Sequence, residues 1–239
     1  MAHFGGGTLT YLGHSTFHLR TPGGRNLLID AWVQSNSACP DDKKQVGPLD
    51  FILVTHGHMD HAGDLVTLAR ETGAAVVCTP DVADWLQTND LTNVQSMNVG
   101  GTLTLDGLSI TMTRADHASR ISDGDGPGLR DAQAVGYVLT LENGVTLYAA
   151  GDTGLFSDMA LIAALYKPDF ALLPIGDRYT MGPRQAAYAC RLLDAPHVIP
   201  IHYGTFPFLT GTVEAFAVEL GRLELRPELH ALKPGEALT

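Results

Sequence analysis

The chain has 239 residues, 45% of them hydrophobic and only 17% charged, with 26 glycines, which suits a substantial core and a two-sided buried sheet of α/β class and excludes a long-helix protein. Lys and Arg number 15 against 26 Asp and Glu, a net charge of −11 that repels polyanions and argues against nucleic acid as a partner. The three cysteines, Cys39, Cys78 and Cys190, form neither a disulfide framework nor a CxxC knuckle, and no apolar run reaches a membrane span, so a cytoplasmic protein without membrane attachment is expected.

Apolar alternation and β-branched residues predict strands at 8–12, 15–20 and 26–30, with Pro22-Gly23-Gly24 turning the chain between the last two. The run Phe51-Ile-Leu-Val-Thr55 reads as a buried strand that stops at His56. A helix is predicted over 62–72, with Asp60 as its cap and Gly73 as its stop. Strands follow at 75–78, 93–97, 102–105 and 108–113, with a helix at 81–87. Residues 122–130, rich in Gly and Asp, read as a mobile surface loop.

In the second half, strands at 135–141 and 145–149 are joined by a Glu142-Asn143-Gly144 turn. Then come a helix at 157–166, a strand at 170–173, a helix at 183–193 opened by Pro183, a strand at 197–201 and a helix at 213–222. Both halves run strands first and then alternate helix and strand. No low-complexity linker interrupts residues 1–239, so one domain of two packed sheets with helices outside is expected.

Chemistry concentrates where the 51–55 strand ends: His56, His58, Asp60 and His61 fall within six positions. A lone histidine is usually solvated or hydrogen-bonded, but three imidazoles and a carboxylate gathered at a buried strand end lack other partners, and metal ions supply the missing interactions. His56 and His58, two apart in extended backbone, can turn to one side of the loop, while Asp60 and His61 face a second ion.

This His-x-His-x-Asp-His pattern resembles the signature of the metallo-β-lactamase superfamily. Further phrases extend the likeness from about Thr8 to Phe208: Gly13-His14-Ser15, GDTGLFSDM at 151–159, PIGDRYTMGP at 174–183 and IPIHYGTFP at 199–207. Together they resemble an uncharacterised family of metal-dependent hydrolases similar to the branch containing ascorbate-6-phosphate lactonase. The resemblance implies a four-layer αββα sandwich, two mixed sheets flanked by helices. It also implies two divalent metal ions, with His56, His58 and His117 on one, Asp60, His61 and His202 on the other, and Asp152 bridging. His117, Asp152 and His202 are expected at strand ends.

Asp30, after another strand, resembles the carboxylate that fixes a ligand histidine's tautomer by accepting its free N–H, although an ordinary turn carboxylate fits the sequence as well. His14, Arg178 and Thr180 are candidate substrate contacts, set against the plainer readings of a satisfied histidine and solvated loop residues. His3, His18, His197 and His230 are read as having no part in the site. Gly176-Asp177-Arg178 departs from many relatives, where a second glycine is expected.

Nitrogen and carboxylate ligands without thiolate suit zinc, manganese, iron or nickel, with zinc the default. Two ions sharing a solvent molecule would bring its pKa to roughly 7, and Asp60 would orient the resulting nucleophile or take its proton. The reading is a metal-dependent hydrolase cleaving an ester, a lactone or related ester of a small acidic or phosphorylated metabolite, with small molecules as its partners and a homo-oligomer left open. A phosphodiesterase or nuclease of the same fold is the alternative. A diiron redox enzyme would replace the second motif histidine, and His58 is intact; a non-catalytic binding module would lack ligands.

Overall fold

Strand residues alternate between two buried faces, and that alternation assigns each apolar side chain to one of three packed layers. The computed structural model describes residues 4–121 and 130–239. His3 and residues 122–129 of the expected mobile loop lie outside the described residues.

The first sheet is built from β1 (Thr8–Gly13), β2 (Thr16–Arg20), β3 (Asn26–Ile29), β4 (Phe51–Leu53), β5 (Ala75–Cys78) and β6 (Val94–Ser96), in that spatial order. Its first three strands run antiparallel and the rest join in parallel. On its outer face lie α1 (Met59–Ala62), α2 (Leu65–Thr72) and α3 (Pro80–Thr88).

The second sheet mirrors it. From one edge inward, β7 (Thr102–Leu105), β8 (Leu108–Ile121), β9 (Arg130–Thr140) and β10 (Thr146–Ala149) are antiparallel, and β11 (Phe170–Pro174) and β12 (His197–Ile201) then add in parallel. Covering its outer face are α4 (Met159–Tyr166), α5 (Pro183–Leu193) and α6 (Val213–Arg222). Two short strands missed in sequence close the edges: β13 (Glu228–Leu229) beside β12 and β14 (Ala237–Leu238) beside β1.

Leu27 and Ile29 of β3 meet Leu147 of β10 and Ile199 of β12 between the sheets, while Leu28 faces the first helices and Val198 the second. The four-layer αββα arrangement expected from sequence is the one observed. Tyr137, wholly buried, spans the two sheets: its hydroxyl, on β9, reaches Val54 O at 2.8 Å and Val77 O at 3.1 Å in the other sheet.

Two expectations need correction. The helix expected over 62–72 is two helices parted at Gly63 and Asp64, so Asp60 sits inside the first turn of α1 instead of capping, while Gly73 does end α2 with φ 70°. β8 runs on to Ile121, well past Thr113, because it keeps pairing with β9 beyond an irregularity between Arg114 and Ala118. That stretch, Arg114-Ala-Asp-His-Ala-Ser-Arg120, is polar and lacks the apolar signal of a strand.

Tyr137→Phe should lower unfolding stability by about 1–2 kcal/mol, because the Val54 carbonyl loses its inter-sheet donor in a dry core. Urea denaturation measures this; an unchanged midpoint would show that the sheets do not depend on the hydroxyl.

Candidate metal centre

Both sheets deliver functional side chains at the same end of the sandwich. His56 follows β4, Asp152 follows β10 and His202 follows β12, while His58 precedes α1 and Asp60 and His61 lie on it. His117 does not end a strand, as the sequence suggested; it lies in the irregularity of β8, where Asp116 N donates to Thr153 Oγ1 and Gly154 N to Asp116 O. That anchoring turns the imidazole toward the other donors.

The backbone is strained where it makes these turns. Asp30 (φ 58°), His202 (φ 56°) and His14 (φ 59°) are all left-handed, at a cost of roughly 1–3 kcal/mol each. His202 N donates to His14 O at 2.8 Å, which locks two of the three together. Gly57, between the first two histidines, is required for a different reason: a Cβ there would stand 2.6 Å from Arg120 O and from Ile121 Cβ.

The donor atoms converge in overlapping groups, within each of which all ligand atoms lie within 4.8 Å of one another: His56, His58 and His117; Asp60, His61, His202 and His14; and His56, His61 and Asp152. His56 Nε2 lies 3.0 Å from His58 Nδ1, and His117 Nε2 lies 3.4 Å from that same Nδ1. Asp152 stands between the groups, with Oδ2 at 2.9 Å from His202 Nε2, 3.7 Å from His117 Nε2 and 4.0 Å from His56 Nε2.

The surrounding residues settle which nitrogens carry lone pairs. Asp30 accepts from Thr55 N and Thr55 Oγ1 and stands 2.7 Å from His61 Nδ1, so His61 donates there and points Nε2 inward as an acceptor. With its own proton given to Asp30, the Thr55 hydroxyl accepts from His56 Nδ1 at 3.1 Å, leaving His56 Nε2 bare as well. Thr55, which sequence reasoning passed over, thus orients two ligand candidates; its only signal was its place directly before His56 at a strand end.

The inward atoms lack partners: His61 Nε2 and Asp152 Oδ1 are buried without a hydrogen bond although they face each other at 3.3 Å. Burial opposes a charge on His61, yet Asp152 and Asp30 raise its pKa well above the ordinary value. Burial likewise opposes ionisation of Asp152, and His61 and His202 nonetheless hold it well below the carboxylate range. Acceptors pressed together in this way require a proton or a cation between them, and a nitrogen and carboxylate donor set of this spacing fits divalent metal.

A family model described as the beta-lactamase superfamily domain matches residues 25–203, which contain every donor of the cluster except His14. The chain belongs to the metallo-β-lactamase superfamily. Within it, the relatives are UPF0173 metal-dependent hydrolases: one from Rubrobacter xylanophilus is 50% identical over 234 residues, covering 98% of this chain and 97% of that one. Another, from Methanopyrus kandleri, is 44% identical over 229 residues, covering 96% and 98%. Among solved structures, Igni18, a metallo hydrolase from the archaeon Ignicoccus hospitalis, superimposes with a TM-score of 0.84 at 33% identity over 97% of each chain.

In this superfamily member a cavity of about 350 Å³ opens onto the donors, lined by His58, Asp60, His117, Asp152 and His202 together with Met59, Tyr179, Phe206 and Phe208. The four apolar and aromatic residues were not found from sequence, although Phe206 lies in the IPIHYGTFP phrase, Phe208 directly after it and Tyr179 in the PIGDRYTMGP phrase. Phe206 stacks between Trp32 (5.9 Å, 18°) and Phe208 (5.2 Å, 7°), which makes this wall rigid.

Three expected substrate contacts do not line it. His14 is fully buried behind Asp60, with Nε2 at 3.1 Å from Asp60 Oδ2 and Nδ1 at 3.0 Å from Thr205 Oγ1; since a carboxylate only accepts, His14 donates from Nε2 and steadies Asp60. Thr180 is buried and donates to Met181 O. Arg178 lays its guanidinium over the Tyr179 and Phe208 rings, 5.5 and 5.6 Å from their centroids, so it backs the aromatic wall. Asp177 and Arg178 are both left-handed (φ 67° and 58°), which explains why glycine is expected in this loop.

Asp30→Asn puts an amide donor against Thr55 or His61 and should weaken metal affinity about 10–100-fold, read by competition with a chromophoric chelator; unchanged affinity would remove Asp30 from the account. Acid should destabilise the metal-free protein. Burial lowers the pKa of His56, His58 and His117, and lowers that of His14 to about 4. The unfolded chain therefore takes up these protons first, and stability falls as pH drops from about 6.5 towards 4. His61, with its raised pKa, opposes the trend, its contribution being complete below about 6.5. Urea midpoints at pH 7.5 and 5 test the sign, and equal midpoints would contradict it.

Proposed function

We propose that the protein is a dinuclear metal-dependent hydrolase that cleaves a carboxylic ester or lactone carrying an apolar or aromatic group. The observation that carries this reading is the junction of two donor groups at Asp152, beneath an apolar cavity. His56 Nε2, His58 Nδ1 and His117 Nε2 would hold one cation, Asp60, His61 Nε2 and His202 Nε2 the other, with Asp152 shared. When bound, such a pair lowers the pKa of water to about 7 and polarises a carbonyl oxygen.

The chain's own groups prepare this chemistry. Asp60, gripped by His14, stays ionised: burial works against its charge, but the His14 hydrogen bond and the nearby His61 hold its pKa well below the usual range. An anion so strongly held is a poor proton acceptor, so Asp60 serves to hold and orient. Asp152, held well below the carboxylate range by His61 and His202, is likewise ionised.

Substrate preference follows from the walls. Among the described residues no lysine or arginine lines the cavity, and Arg178 is engaged with two rings, so nothing described there offers a cation to the expected phosphorylated or acidic group. The faces of Phe206, Phe208 and Tyr179 suit an aromatic or alkyl substituent beside the scissile bond. The same lining disfavours a phosphodiester, and the net charge of −11 disfavours a nucleic acid.

A panel of phenyl, alkyl and phosphorylated esters and lactones, assayed with zinc, manganese, iron or nickel, tests this. His58→Ala should lose metal and hydrolysis together while keeping the far-UV circular dichroism of the fold; retained metal would sink the assignment. Phe208→Ala should raise KM for the phenyl ester about tenfold with little change for the methyl ester, and equal effects on both would refute the aromatic wall.

A further inference from the structure

At the opposite end of β12 from His202, three side chains with metal-binding atoms meet on one face. His197 opens the strand and is the cross-strand partner of both Phe170 and Glu228. His230 N donates to Val198 O at 2.8 Å, so the ladder continues past β13, and strand alternation puts His230 on the same face as Glu228. The Phe170 ring stacks against His197 (4.6 Å, 21°) and fixes it in place. Five residues of strand separate this cluster from the main centre, about 16 Å.

His197 Nδ1 lies 3.2 Å from His230 Nε2 and 3.4 Å from Glu228 Oε2, and His230 Nε2 lies 3.9 Å from Glu228 Oε1. One proton shared by the imidazoles would satisfy that pair and leave the carboxylate reaching toward both nitrogens; one cation satisfies all three. Ligand atoms at 2.0–2.1 Å from a tetrahedral zinc stand about 3.3 Å from each other, and the histidine nitrogens of the main centre are spaced at 3.0 and 3.4 Å.

We propose that His197, Glu228 and His230 form a second, peripheral site for a divalent cation of the zinc class, with water completing a tetrahedron. Its role is structural: the ion ties the two-residue edge strand β13 to β12. The proposal stands independently of the hydrolase reading, because none of these residues lines the catalytic cavity.

The test uses chelator-stripped full-length protein equilibrated with zinc alone, with bound zinc per chain measured by mass spectrometry. His230→Ala and Glu228→Gln should each bind one zinc fewer than wild type while hydrolysing as well as wild type once loaded. The same loss of one zinc should appear when either change is added to His58→Ala, which separates this site from the main one. Should His230→Ala fail to fold, Glu228→Gln decides, since its side chain is half exposed. Equal zinc content in Glu228→Gln and wild type at every zinc concentration would overturn the proposal.

Discussion

The site depends on a demand for positive charge in a dry place. Asp152 and His61 are buried with acceptor atoms facing each other, Asp30 fixes the proton of His61 on the far side, and His56 and His202 close in from either sheet. The positive partners of these carboxylates are imidazoles. Without a cation, charge balance falls to protonated histidines, which burial disfavours for His56. A metal ion would resolve the conflict, and the surrounding structure is arranged to hold the conflict in place.

That arrangement uses backbone strain and close approach. Three non-glycine residues, His14, Asp30 and His202, adopt left-handed conformations at strand ends, and the His202–His14 backbone bond couples two of them. The sheets also meet here: Val135 N donates to Thr55 O at 2.9 Å, and at Gly151 (φ 63°) a Cβ would stand 2.8 Å from Val135 O. Precise placement of ligands thus costs stability locally, offset by the large shared core and by Tyr137 between the sheets.

Much of this was legible in the sequence. Fully buried strands such as Phe51–Leu53 and helices such as Pro183–Leu193 announce themselves through apolar runs and proline placement, and a dense histidine motif has few uses but metal. What was hidden depends on tertiary contact. The extension of β8 through a polar stretch is maintained by pairing with β9 and by Thr153, neither visible locally. His14 looked like a pocket residue because nothing in its neighbourhood reveals that Asp60 lies on one side and Thr205 on the other. The aromatic wall joins residues from separate loops, and Arg178 looked free until Tyr179 and Phe208 came beneath it.

The measurement that bears most directly on the central claim is anomalous diffraction at the zinc edge from crystals of the zinc-loaded protein. Two peaks between the imidazoles of this centre, with an Asp152 oxygen between them, are the predicted result. A single peak, or none among these residues, would contradict the dinuclear account.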